Sequence, residues 1–231
     1  EKILKQGIYT EIQGIPLFLG KVKSKFRNLQ TLSRAFQVGH HHYDIGNDLF
    51  SLMLDKTMMY TCGYWSKDVS TLEESQIAKL DLVAKKLDLK PGMKILDIGC
   101  GWGGAAKHFA NNYGVTVVGI TVSKEQIEYA KQNSDNMDVE FKLMDYRNLD
   151  EKFDAIYSIG MFEAVGYKNY REFFEIVRSS LKDNGVFLLH TIGGNESTTT
   201  TDPWIEKYIF PNGMMPSASQ IAKASEEFFI F

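Results

Sequence analysis

Cysteine is scarce in this chain. The 231 residues hold two, Cys62 and Cys100. They are too few for a disulfide framework and form no C-x-x-C metal pair, which fits a reducing, cytoplasmic compartment. Long apolar runs are missing as well. Nothing approaches the ~20 residues that a membrane-spanning helix needs, and no leader peptide is visible. An overall excess of one charge is also absent. A formal net charge of −3 with 44% hydrophobic residues describes an ordinary water-soluble protein with ample material for a core. Metal ligands at binding spacing are lacking: His40, His41 and His42 stand in a row, nothing else pairs with them, and no metal is expected. Apart from the polar run NESTTTTD (195–202) there is no repeat or low-complexity tract.

The charge that is present is unevenly spread. In residues 1–42, Lys2, Lys5, Lys21, Lys23, Lys25, Arg27 and Arg34 face only Glu1 and Glu11, a net of +5, which leaves −8 for the rest of a chain at −3. A basic arm on an acidic body suits an anionic partner such as a phospholipid surface or nucleic acid, or it is simply a solvated segment. Ile15-Pro16-Leu17-Phe18-Leu19 is greasy enough to touch a bilayer without crossing it. The chain opens at Glu1 and stops at Phe231 inside FFIF, so it reads as a piece of something longer.

Apolar spacing predicts a helix from Ser70 to Leu87, opened by a Ser70/Glu73 capping box. Pro91-Gly92 then breaks the chain. After it the elements alternate: strand 93–98, helix 103–112, strand 115–120, helix 124–132, strand 139–144, strand 153–159, helix 169–181 and strand 186–191. That alternation predicts an α/β sandwich, a mostly parallel Rossmann-like sheet with helices on both faces. The tail around Pro203, Pro211 and Pro216 is expected to cap the sheet's edge.

ILDIGCGWGG (95–104) is a strand running into a glycine turn that opens a helix. Gly99, Gly101 and Gly104 satisfy G-x-G-x-x-G, the dinucleotide fingerprint, which alone is a weak signal. Two features favour S-adenosylmethionine (SAM) instead. Asp97 at the strand tip would repel a pyrophosphate but suits a ligand carrying an ammonium and a sulfonium. The next strand ends in Thr121, where a dinucleotide fold wants an acid. SAM enzymes often use that acid too, on the ribose, and Gln126 could substitute for it. Equally, Ser123-x-x-Gln126 is itself a capping box. Asp145-Tyr146, past the third strand, offers an acceptor and a ring for adenine, or a plain loop.

The stretch MMYTCGYW (58–65) concentrates aromatics and a thiol just before this turn. With HYDIGNDLF (42–50), LDIGCGWGG, VVGITVSKEQ, GMFEAVG (160–166), FLLHTIG (187–193) and DPWIEKYIFPNG (202–213), it closely resembles the cyclopropane-fatty-acyl-phospholipid synthases, relatives of the mycolic acid cyclopropane synthases. The resemblance covers residues 38–231. It implies a basic N-terminal segment over 1–38, a linker or lipid-proximal part, and a SAM-dependent methyltransferase domain over 39–231 that lacks its C-terminal portion. The implied reaction adds a SAM-derived methylene across a cis double bond of an acyl chain in membrane phospholipid. It would pass through a carbocation that loses a proton to bound bicarbonate. Alternatives are a related lipid C-methyltransferase that leaves the ring open, or an inactive SAM- or lipid-binding fragment.

The resemblance further implies a bicarbonate site built by Cys62 (largely through backbone), Glu163, His190 and the Ile192 backbone. SAM contacts would come from Tyr60, Thr61, Asp97, Gly99, Gly101 and Gly103, and from Thr121, Val122, Gln126, Asp145 and Tyr146. Tyr60, Tyr64, Trp65, Phe162 and Tyr167 are candidates for cation-tolerant π faces. Thr61 and Gly63 stand where the family usually has Ser and Ala. Ala164 replaces a common His. A bicarbonate-holding tyrosine, a cysteine and much of the lipid-facing lid would lie beyond Phe231. The implied protein is cytoplasmic and peripherally membrane-associated, with no nucleic-acid partner and with a homodimer left open.

Overall fold

Each of the five apolar runs becomes a parallel strand. The computed structural model describes residues 28, 30, 31, 47–210 and 213–230. The His40–His42 run, IPLFL and nearly all of the basic arm lie outside the described residues. The strands are β1 Lys94–Ile98, β2 Thr116–Thr121, β3 Val139–Leu143, β4 Phe153–Ile159 and β5 Leu181–His190, ordered β3-β2-β1-β4-β5. All four pairings are parallel. The helices are α1 Asn47–Met53, α2 Leu72–Lys86, α3 Gly104–Tyr113, α4 Lys124–Gln132, α5 Tyr170–Ser180, α6 Pro203–Tyr208 and α7 Ala218–Ser225.

The strands are apolar on both faces because both faces are covered. Ile95 joins Leu80 and Val83 of α2, Phe109 of α3 and Ile127 of α4 in one core. Its neighbours Leu96 and Ile98 turn the other way, toward Phe173, Phe174 and Val177 of α5. Spacing of i, i+3, i+4 and i+7 from Tyr170 puts those residues on one buried stripe of α5. Phe173 is wholly buried, so Phe173→Ala should cost about 3–5 kcal/mol by leaving a cavity. A chemical-denaturation midpoint that hardly moves would contradict this packing.

Most elements shift by one or two residues from expectation, and two differences have a physical reason. The capping box of α2 is Thr71 with Glu74: the Thr71 hydroxyl accepts from Glu74 N, and Glu74 accepts from Thr71 N. The predicted Ser70/Glu73 box is one residue early. Strand β5 starts at Leu181, five residues before the expected start at 186, because Leu181 pairs with Phe153. The next pair is Val186 with Ala155, so 182–185 bulge outward around Asn184 at φ 62.

The tail does cover the β5 side. Phe229 packs on Phe174 and on Phe187 of β5, and Gly194 bridges to Ser217. Asn28 and Gln30 are seated beside the turn before α5 and the loop after β3. Asn28 donates to Asn169 at 2.6 Å, and Arg147 donates to the Gln30 carbonyl at 2.9 Å.

Candidate active site

The sheet reverses direction of strand addition between β1 and β4, and open α/β sheets bind ligands at the carboxyl ends there. At the tip of β1 the chain turns through Gly99, Gly101 and Gly103, all at positive φ. A Cβ at Gly99 would lie 2.5 Å from Met161, whereas one at Gly101 would meet nothing within 4 Å. The turn is thus packed against the β4 loop and open on the other side. Gly103 caps α3 with no side chain, so the helix's first turn keeps its positive end free for an anionic group.

Asp97 lies beneath this turn, 2% exposed, with no cation within ion-pair distance among the described residues. Burial pushes its carboxyl up to about 7, against a smaller downward pull from Tyr157. A buried carboxylate in this setting invites a cationic ligand.

At the end of β2 the Thr121 hydroxyl donates to Gln126 Oε1 at 2.9 Å and accepts from Ser123 N. Ser123 caps α4 by accepting from Gln126 N, but the Gln126 side chain does not return the bond, so the expected box is half formed. Gln126 is instead locked to Thr121, with both buried beside the half-buried Val122. Asp145 is buried and accepts from Arg147 N at 3.0 Å. The Tyr146 ring packs against Phe173 at 5.1 Å in the α5-side core.

Across the crevice, the tips of β4 and β5 meet YTCGYW. Cys62 Sγ lies 3.6 Å from His190 Nε2. Ile192 N donates to Glu163 Oε1 at 2.6 Å. Glu163 Oε2 and His190 Nδ1 are both buried without a hydrogen-bond partner. His190 titrates below its ordinary value, mainly through burial and then through the Lys79 ammonium, while Glu163 pulls the other way. The imidazole is therefore neutral near pH 7.

Helix α2 sets the position of YTCGYW. Gln76 Nε2 donates to the Thr61 carbonyl and Lys79 Nζ to the Thr61 hydroxyl, both at 2.7 Å. Tyr64 N donates to Ser75 O at 2.9 Å. Thr61 and Gly63 suit their surroundings. A Cβ at Gly63 would fall 2.1 Å from Ser75 Oγ, and the Thr61 methyl fills the space over Gly160, where a Cβ would lie 2.4 Å from it.

The aromatic candidates divide. Tyr64 and Trp65 are half exposed or more, and Tyr60 packs its edge on Phe50 at 5.4 Å. Tyr167 is half-buried against the α5-side core. Phe162 is fully buried, stacked on Tyr170 at 4.4 Å, and offers no face to a substrate. Sequence reasoning missed Gln76, Lys79 and Tyr170. A signal existed for the first two: Gln76 sits on the apolar stripe with Leu80, Val83 and Leu87, where a polar residue needs a reason. Tyr170 carries a buried hydroxyl without a partner, and burial together with Glu163 raises its pKa.

With this geometry in place, comparison with known proteins decides the family. The family model of mycolic acid cyclopropane synthetase matches residues 30–230. The chain belongs to that family. It is 55% identical over 203 residues to the cyclopropane-fatty-acyl-phospholipid synthase of Escherichia coli K12, covering 88% of this chain and 53% of that synthase. It thus spans about half of that relative's length. It is 39% identical to cyclopropane mycolic acid synthase 3 of Mycobacterium tuberculosis, over 80% of this chain and 71% of that protein. Among solved structures, the cyclopropane synthase MmaA2 from M. tuberculosis superposes with a TM-score of 0.77 at 37% identity, covering 84% of this chain and 74% of that one. CmaA1 complexed with SAH and CTAB gives 0.77 at 37%, over 83% and 73% of the two chains. The fold of this family is that of SAM-dependent methyltransferases.

Proposed function

We propose that the protein transfers a methylene group from SAM to a cis double bond of an acyl chain in membrane phospholipid, closing a cyclopropane ring. One observation carries the reading: in a chain of this family, Cys62, Glu163 and His190 converge at the strand tips across from Asp97 and the glycine turn. The name of the 55% identical synthase supports the phospholipid class.

SAM brings two positive groups and a carboxylate. Asp97 supplies the counter-charge for its ammonium, and the open glycine turn at the start of α3 suits its carboxylate. The Thr121–Gln126 pair stands in for a ribose-binding acid, with the Gln126 amide nitrogen as a donor. Asp145 and the backbone of Tyr146 remain for the adenine end, and Tyr60, Thr61, Gly103 and Val122 complete the walls.

An unactivated alkene has no proton to lose beforehand. It attacks the sulfonium methyl, S-adenosylhomocysteine leaves, and a carbocation remains. Ring closure requires the transferred carbon to lose one proton, and that carbon's electron pair then bonds to the cationic carbon. The exposed ring of Tyr64 would steady the cation at ~0.5–2 kcal/mol if it faces the acyl chain.

The residues at the proton-accepting end fit bicarbonate. Its hydroxyl would donate to the orphaned Glu163 Oε2, and its oxygens would accept from His190 and from the Cys62 backbone, while Ile192 N, already donating to Glu163 Oε1, holds that carboxylate in place. When bound, it supplies a small base. A neutral His190 cannot offset two negative charges, so Glu163 shares a proton with the anion. The neutral imidazole also sets the acid limit: because burial lowers His190, turnover should hold at 6.5 and fall only at more acid pH, as the lowered value is passed. A rate profile flat through that range would contradict this.

The basic segment and the exposed rings of Trp65, Trp204 and Tyr208 dock peripherally on the lipid surface. No helix of the described residues is long and apolar enough to cross a membrane.

Vesicles of unsaturated phospholipid incubated with SAM test the proposal through acyl-chain mass. A gain of CH2 with loss of the double bond is the expected result. A branched alkene would identify a lipid C-methyltransferase, and SAM binding without product would identify a binding module.

A further inference from the structure

Lys79 is a buried ammonium to which the reaction proposed above assigns no part. It is 4% exposed, and no carboxylate lies within ion-pair distance of it among the described residues. Its Nζ donates to Gln76 Oε1 at 2.5 Å and to the Thr61 hydroxyl at 2.7 Å. Gln76 in turn donates to the Thr61 carbonyl. The two side chains, one helical turn apart on α2, therefore grip both polar groups of the residue just before Cys62.

A buried charge needs compensation. Neutral oxygens from Gln76 and Thr61 provide hydrogen bonds but no negative charge. The acidic groups whose fields reach Lys79 are Cys62, from the same held segment, and Asp55. Burial still dominates and brings the ammonium down to about 8, so it stays largely charged at neutral pH. On its far side stands the cluster of Cys62, His190 and Glu163, with two orphaned buried atoms.

We propose that Lys79 is a positioning residue: it holds the Thr61–Cys62 segment against the tips of β4 and β5, and it supplies the fixed positive charge for an anion bound at the Cys62–His190–Glu163 cluster. The proposal rests on the functional reading above for the identity of that anion. It does not rest on it for the effect on His190. The groups facing His190 are Cys62 from the segment before α2, Lys79 and Lys86 from α2, and Glu163 from the turn after β4. Lys79 is the largest of the charged groups acting on the imidazole, and it favours the neutral form.

Three variants separate charge from hydrogen bonding. Lys79→Met removes both, Lys79→Gln keeps a donor toward Thr61 without charge, and Lys79→Arg keeps the charge. Two readouts are taken on each. The first is the titration of His190 by NMR with ring-labelled histidine, in CO2-free buffer, the resonance being assigned by its loss in His190→Asn. The second is initial rate against added bicarbonate, on unsaturated phospholipid vesicles.

Lys79→Met and Lys79→Gln should both move the His190 titration to higher pH, while Lys79→Arg leaves it nearly in place. The same two variants should raise the apparent KM for bicarbonate about tenfold or more, with the KM for SAM changed less than about threefold. Should Lys79→Met fail to fold, Lys79→Gln carries the test. An unmoved His190 titration in Lys79→Gln overturns the proposal whatever the rates do. If the parent depends on bicarbonate but Lys79→Gln shows an unchanged KM for it, the proposal fails and the functional reading stands. If the parent is indifferent to bicarbonate, the anion reading fails, and the His190 titration alone decides the role of Lys79.

Discussion

Glu163→Gln is expected to lower kcat by about 100- to 10,000-fold while leaving SAM affinity within about threefold. The substitution is nearly isosteric. Its amide oxygen can still accept from Ile192 N, so the 2.6 Å bond that fixes the loop after β5 survives. What changes is the second oxygen, Oε2, which is buried with no partner among the described residues. Gln puts an NH2 donor there and cannot share a proton. On the proposed reading SAM binds on the β1 side, through groups that Glu163 does not hold. Turnover assays on lipid vesicles and calorimetric SAM titration distinguish the outcomes. A loss of SAM affinity matching the loss of rate would mean that Glu163 belongs to the SAM site instead.

Asp97→Asn should have opposite effects on stability and binding. Burial holds the Asp97 carboxyl at about 7 against an ordinary 3.8. As pH rises between those values the unfolded chain loses this proton and the folded one keeps it, so the ligand-free fold loses stability across that window. Above it the penalty is fully present, on the order of a few kcal/mol. Asn removes the penalty. Ligand-free Asp97→Asn should therefore melt several degrees above the parent at pH 8, and the gap should shrink toward pH 4. The same change deletes the counter-charge for the ammonium of SAM and should weaken SAM binding by about 30- to 1,000-fold. Lower melting at pH 8 would mean that Asp97 is stabilised by partners in the fold. Unchanged SAM affinity would remove its assigned role.

Both predictions draw on residues that the sequence alone makes conspicuous, and others were not legible there. Strands were readable because buried parallel strands are continuous apolar runs: FDAIYSI is β4 from first residue to last. The start of β5 was not, because LKDNGV holds a bulge whose pairing through Leu181 depends on β4. The capping box was ambiguous in principle. Ser70-Thr71-Leu72-Glu73-Glu74 contains two overlapping frames of the same motif, and packing of α2 selects the second. Ring placement was invisible for a different reason. Spacing tells which residues are apolar, not which face of the sheet they enter, so Phe162 and Tyr146 went to the α5-side core. Gln76 and Lys79 were legible only as anomalies, polar groups on a stripe that should be greasy, and their purpose required seeing Thr61 opposite them. Asp97 was readable because its position at a strand tip before glycines has few structural uses.

Trideuteromethyl-labelled SAM offers the most direct measurement on the whole account. If a fatty-chain cation surrenders a hydrogen from the carbon it has just received, the new ring carries two of the three deuterons and the third appears in solvent. Retention of all three in a branched chain would contradict ring closure at this site.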